Sequence, residues 1–150
     1  MATDQPIKEF ILFQNLSDDI LDKIAAIGQE QSYHSGDIVF REGEQADQLH
    51  FLISGSIHLK VRLTSRPESI TVSAVTQRFE SFGWSGIVPP YHYTASAICE
   101  EDSRVMTIPG TAFMKILSDD PIAGFLVMQR IAEIIASRLR NSRQALLKTI

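Results

Sequence analysis

The chain changes period twice along its length. From Pro6 to Glu30 the apolar positions Phe10, Phe13, Leu16, Ile20, Leu21, Ile24 and Ile27 recur at helical spacing. Ser17-Asp18-Asp19 reads as a helix start, so the pattern predicts a short helix, a break near Asn15 and a second helix from about Ser17 to Gly28. From Tyr33 to Ile108 short alternating runs separated by Gly, Ser and Pro replace that period. Ile57, Leu59, Val61 and Leu63 face one way, and His58, Lys60 and Arg62 the other. Further strands are predicted at Ile38 to Phe40, Leu49 to Ile53, Ile70 to Val75, Thr94 to Cys99 and Val105 to Ile108. So many short strands imply a barrel or sandwich.

A second helical region follows Pro109-Gly110, beginning with a one- or two-turn helix that holds Phe113, Ile116 and Leu117. Asp119-Asp120-Pro121 then supplies a cap, with proline at the first helical position where its missing N–H costs nothing. The helix it opens is expected to reach about Leu147, roughly 40 Å at 1.5 Å per residue, which outruns a small barrel. Phe125, Met128, Ile131, Ile135, Leu139 and Leu146 form a stripe on it, with Ser142 at the polar position in register. The first half of the stripe is expected to pack on the barrel. The second half, at Ile135, Leu139 and Leu146, has no barrel left to cover it, and a homodimer through the same helix is the economical solution. The expectation is one domain of three parts: a helical lead over 1–30, a barrel over 31–108 and a helical tail over 109–150.

Composition narrows the function classes. With 150 residues and 44% hydrophobic positions the chain needs no metal or disulfide to hold a core. Its single Cys99 excludes an internal disulfide and a Cys-rich metal site, and reads as a buried hydrophobe. One cysteine, no apolar run longer than four residues and no basic N-terminal leader together predict a cytoplasmic protein without a membrane span. A net charge of −4 argues against direct nucleic-acid binding. That charge is uneven, about +4 from Pro121 onward against −8 before it, which suits the end of a helix dipole or an acidic protein partner. No G-x-S-x-G elbow or Cys–His pairing is present, and His34, His50, His58 and His92 are scattered, so neither catalysis nor a metal or other cofactor is expected.

The run Tyr33-His34-Ser35-Gly36-Asp37-Ile38-Val39-Phe40-Arg41-Glu42-Gly43-Glu44, followed by Leu49 to Ile57 with Gly55, resembles the opening of the cyclic-nucleotide-binding domain family. That family includes the bacterial catabolite activator and the regulatory subunits of cyclic-AMP-dependent kinase. The resemblance implies an eight-stranded jelly roll flanked by N-terminal helices and a long C-terminal helix. It places Gly36, Gly43 and Gly55 in tight turns, and Phe82-Gly83 at the start of the phosphate-binding cassette. It extends to the long helix and leaves no residues for the helix-turn-helix domain of the family's transcription factors.

The cassette departs from the family pattern. Family members grip the ligand with a short helix whose N–H groups face the phosphate. A Glu after the Gly accepts from the ribose, and an Arg about ten residues on neutralises the phosphate. Here Trp84 stands at the Glu position and Tyr93 at the Arg position, with His92 or Thr94 there if the register slips by one, and no charged residue occurs from Gly83 to Cys99. Losing the buried cation costs about 3–5 kcal/mol and the charged acceptor about 1.5–3 more, at least roughly a thousandfold in affinity.

Two readings of the cassette remain open. Either Trp84, Val88 and Pro89-Pro90 fill the old pocket, or a pocket survives with other chemistry. In the second case Gly83 and Gly86 offer N–H groups, Ser85, Thr94 and Ser96 offer hydroxyls, and Trp84, Tyr91 and Tyr93 offer aromatic faces. Asn141 and Ser142 lie where family members read the base from the long helix. The function expected is a non-catalytic regulatory module that binds a small molecule other than a tightly held cyclic AMP or GMP. The alternative is a ligand-free structural or adaptor protein acting through its dimer surface.

Overall fold

The computed structural model describes residues 3–149. Two single turns of 3-10 helix, Ile7–Glu9 and Ile11–Phe13, precede α1 (Asp18–Ile27). Ser17 caps α1, its Oγ accepting from the Ile20 N–H at 3.3 Å. Eight strands follow: β1 (Gln29–Tyr33), β2 (Ile38–Phe40), β3 (Gln48–Ser54), β4 (Ile57–Arg62), β5 (Ser69–Val75), β6 (Ser81–Phe82), β7 (Ser96–Cys99) and β8 (Ser103–Pro109). Two helices close the chain, α2 (Gly110–Asp119) and α3 (Pro121–Thr149). The strands form two four-stranded sheets, ordered β1-β8-β3-β6 and β2-β7-β4-β5, with every pairing antiparallel. The architecture is the jelly roll with helical flanks that the sequence implied.

β1 and β6 are the strands absent from the hydrophobic pattern. β1 is polar along nearly its whole length and exposed, so it has no alternation to read. It holds by its ladder to β8, from Gln29 opposite Thr107 to Tyr33 opposite Ser103, and the helical lead therefore ends at Ile27 instead of residue 30. β3 is the reverse case, buried on both faces, which is why Leu49 to Ile53 run apolar except at His50. Leu49, Phe51 and Ile53 face the helices and join Phe10, Phe13, Ile24, Met106, Ile108, Phe113, Val127 and Ile131 in one core. Leu52 faces the barrel interior with Phe40, Ile57, Leu59, Phe82, Tyr93, Ala97, Cys99 and Val105.

The N-terminal turns are tied to α3 by Arg130, whose Nη1 donates to the Leu12 and Gln14 carbonyls at 3.1 and 2.6 Å. α3 itself starts as the sequence indicated, with Asp120 Oδ1 accepting from the Ala123 N–H at 3.2 Å ahead of a proline first position. Its buried face, however, is Ala123, Val127 and Ile131, while Phe125 is 72% exposed. Six residues separate Phe125 from Ile131, which at 100° each leaves them about 120° apart around the axis, too far for one narrow stripe. Phe125 therefore lies outside the core in which the sequence placed it.

Gly55 turns β3 into β4 at φ +103°, where a Cβ would lie 2.1 Å from Ser103 Oγ and 2.7 Å from the Asp102 carbonyl oxygen. Gly43 also has positive φ, but open space surrounds it. Gly55→Ala is thus expected to lower the melting temperature more than Gly43→Ala, which carries only the backbone cost of about 1–2 kcal/mol, or several degrees in a chain of this size. His58, partly exposed and paired with Glu100 at 3.0 Å, should tolerate alanine with little change. Thermal denaturation of the three variants checks the order.

His50 is the one imidazole inside the barrel, 4% exposed and stacked with Phe82. Burial drives its pKa down to about 3. Folding therefore favours the neutral ring: this contribution is complete above the unfolded value near 6.5 and is lost as pH falls toward 3, at up to about 1.4 kcal/mol per pH unit. His50→Gln, which cannot take up that proton, should show a shallower fall in melting temperature between pH 6.5 and pH 4 than the wild type.

Candidate functional site

The cassette runs from β6 to β7. Gly83 leaves β6 in the left-handed conformation at φ +74°, and a Cβ there would lie 2.6 Å from the His50 ring, so the position needs glycine on two counts. One 3-10 turn, Trp84–Gly86, follows. The Gly86 N–H donates to the Gly83 carbonyl at 3.3 Å, and the N–H of Ile87, just past the turn, to that of Trp84 at 2.9 Å. Gly86 is buried, and a Cβ would lie 2.2 Å from the Gln48 carbonyl oxygen, which accounts for this glycine by close packing on β3.

Beyond the turn the chain passes a cis Pro89-Pro90 peptide and returns along the loop after β2. Tyr93 donates its N–H to the Glu44 carbonyl at 2.9 Å, and its own carbonyl accepts from the Gly43 N–H at 2.8 Å. This fastening turns the Tyr93 side chain into the barrel. Its ring lies flat on Phe40, centroids 3.8 Å apart at 8°, and its hydroxyl sits 3.0 Å from His50 Nε2. Burial, with the Asp47 and Glu44 charges adding to it, pushes the phenol up to about 12, so it stays neutral.

Gly83, Trp84, Ser85, Tyr93 and Thr94 border what remains of the barrel pocket, a cavity of about 70 Å³ closed by Phe40, Leu59 and Ala95. Ser96 is not among them; its hydroxyl accepts from the Glu42 N–H at 2.9 Å and ties the loop after β2 to β7. Asn141 and Ser142 part company, Asn141 lining a cleft toward the N-terminal turns and Ser142 one toward the cassette.

Arg138 lies between those two clefts, a residue that reading the sequence missed. Its guanidinium carbon sits 4.4 Å over the Trp84 ring, and its Nη2 donates to Glu80 Oε2 at 3.0 Å and to the Ser81 carbonyl. The Trp84 indole N–H reaches Ser81 Oγ at 3.2 Å. Burial draws the Arg138 pKa below its ordinary value, opposed by the Glu80 charge. Val127, Ile131, Ile134 and Arg138 follow one another at helical spacing on the inward face of α3, so an arginine in register with a core face was the signal available. Among the described residues no cluster of His, Cys, Asp and Glu is placed to hold a metal, and no helix is long and apolar enough to cross a membrane.

The geometry is that of a ligand-binding jelly roll with a rebuilt cassette, and known proteins agree on the fold. A solved structure described as a putative cyclic nucleotide-binding protein from Geobacter metallireducens superposes with a TM-score of 0.77 at 28% identity, covering 93% of this chain and 99% of that one. The cGMP-dependent protein kinase egl-4 of Caenorhabditis elegans is 26% identical over 109 residues, 72% of this chain and 14% of the kinase. The CRP-like cAMP-activated global transcriptional regulator of Mycobacterium tuberculosis is 24% identical over 135 residues, 90% of this chain and 58% of the regulator. The chain thus spans between about a seventh and three-fifths of these two curated relatives. The family model for the cyclic nucleotide-binding domain matches residues 30–120, from the edge strand through the cassette to the end of α2, and with most of its length so covered the chain belongs to that family.

Proposed function

We propose that the protein is a non-catalytic regulatory module that binds a small molecule other than cyclic AMP or cyclic GMP and that works as a homodimer through α3. The observation that carries the first part is Tyr93. Where the family pattern calls for a phosphate-binding arginine, this side chain is folded into the barrel against Phe40 and His50, and the cavity bordered by the cassette turn is about 70 Å³. Sites for small molecules occupy about 300–1,000 Å³. Trp84, at the acidic position, packs outward under Arg138 and accepts nothing from a ribose. Calorimetry with cyclic AMP and cyclic GMP should therefore detect no dissociation constant below about 10 μM, a standard free energy of about −7 kcal/mol. A tighter value would show that neutral donors suffice.

The outward face of α3 supports the dimer. Phe125, Met128, Ala132, Ile135, Leu139, Ser142 and Leu146 alternate at spacings of three and four, the a and d positions of a two-stranded coiled coil. None of them is fully buried, and Phe125 and Leu139 are more than two-thirds exposed. Ile131, which the sequence put on the same stripe, has left it for the core. A second copy of α3 would cover this seam, and removing large aliphatic side chains from such a seam costs about 2–5 kcal/mol each. In sedimentation experiments the wild type should be dimeric and Leu139→Asp monomeric; a monomeric wild type, or an unchanged dimer in the variant, would refute the seam.

A further inference from the structure

Arg138 carries more bonding capacity than the fold uses. Its side chain is 9% exposed, Nη2 is held by Glu80 and Ser81, and Nη1 has no hydrogen-bond partner. Buried arginine donors are nearly always satisfied, and guanidinium is matched best by a carboxylate taking two parallel N–H groups. The two clefts that Arg138 adjoins differ in charge. The one toward the N-terminal turns, about 340 Å³, contains Glu80, whose carboxylate repels an anion. The one toward the cassette, about 310 Å³, has no carboxylate in its lining. Its walls are the Trp84 ring, Val88 and Pro89 with Ile135 and Leu139, and Ser85, His92, Thr94 and Ser142 add polar groups to the lining. A mainly apolar slot with one arginine in its wall favours an amphipathic anion over a neutral ligand.

We infer that this cleft between the cassette and α3 is a binding site for a small apolar carboxylate, whose ring or alkyl body lies between Trp84 and Leu139 and whose carboxylate pairs with Arg138. The inference rests on the reading of the chain as a ligand-binding module and names the ligand class for it. The volume is at the low end for ligand sites and fits a single ring with a short acid arm. The occupant touches the cassette turn and the margin of the α3 seam at Ile135 and Leu139, so binding there bears directly on how α3 meets both the barrel and a second copy of itself. Because the guanidinium lies against the Trp84 ring, an occupant on Arg138 changes the surroundings of the chain's single tryptophan.

The test is a titration of the full chain with phenylpropionate and with its uncharged isostere phenylpropionamide, read by calorimetry and by Trp84 emission. The carboxylate should bind at least about tenfold more tightly than the amide, the difference that one charge-assisted hydrogen bond makes, and should shift the emission. Arg138→Gln should reduce that preference to less than about twofold. Since loss of Arg138 leaves Glu80 unpaired and can weaken the fold, Val88→Glu provides a second variant: Val88 is exposed, so the melting temperature should hold, while the new carboxylate at the cleft wall should lower phenylpropionate affinity at least about tenfold. Equal affinity for acid and amide, no binding of either, or full binding by Val88→Glu would overturn the site. Tight binding of a cyclic nucleotide in the separate calorimetry would instead overturn the module's wider reading, so the two failures are distinguishable.

Discussion

The contact on which the rest of the site depends is the flat packing of Tyr93 on Phe40, with the Tyr93 hydroxyl on His50. It is a neutral, desolvated arrangement: burial holds His50 as the free base and Tyr93 as the phenol. Phe40 comes from β2, His50 from β3 and Tyr93 from the end of the cassette loop, so three stretches far apart in the chain meet at one point in the barrel. A phosphate could not be placed there without burying a charge opposite groups that carry none, at a cost of several kcal/mol. The inner side of the cassette is thus packed by neutral groups, and its outer side faces α3.

On that outer side Trp84 and Arg138 join the cassette to α3. The guanidinium lies over the indole, the indole N–H reaches Ser81, and Arg138 closes the circle through Glu80 and the Ser81 carbonyl. Glu80 is in turn fixed by the Thr76 and Gln77 N–H groups at 3.2 Å. The long helix is thereby anchored at two separated levels, by Arg130 on the carbonyls of the N-terminal turn and by Arg138 at the cassette. Between and beyond those anchors its apolar seam stays on the surface. A change at the cassette cleft therefore has a short mechanical route to the helix face proposed to meet a partner.

Much of the fold was legible because local rules and tertiary demands agree. The cap at Ser17, the Asp120-Pro121 start of α3 and the alternation in β4 each follow from a constraint acting within a few residues, while the turns at Gly43 and Gly55 were implied by the family resemblance. β1 was not legible, since an exposed polar edge strand holds by its partner's hydrogen bonds and leaves no hydrophobic pattern of its own. Phe125 was misplaced because two apolar faces of one helix, one for the core and one for the seam, overlap into a single stripe when read along the sequence.

For the site, the sequence by itself determined the absence of charge from Gly83 to Cys99 and the presence of Trp84 and Tyr93 at the positions where ligand-binding residues stand in the family. That is what motivates the proposal of a ligand other than a cyclic nucleotide, because an ionic contact cannot be made by a residue type that is missing. Only the tertiary structure decided that Tyr93 turns inward and Trp84 outward, that Ser96 ties loops together, and that Arg138, 54 residues after Trp84, supplies the one cation beside the cassette cleft. Direction and pairing depend on which surfaces meet when the helix docks on the barrel. The helical register of Arg138 with Val127, Ile131 and Ile134 marks it as inward-facing, but local spacing does not record what it meets there.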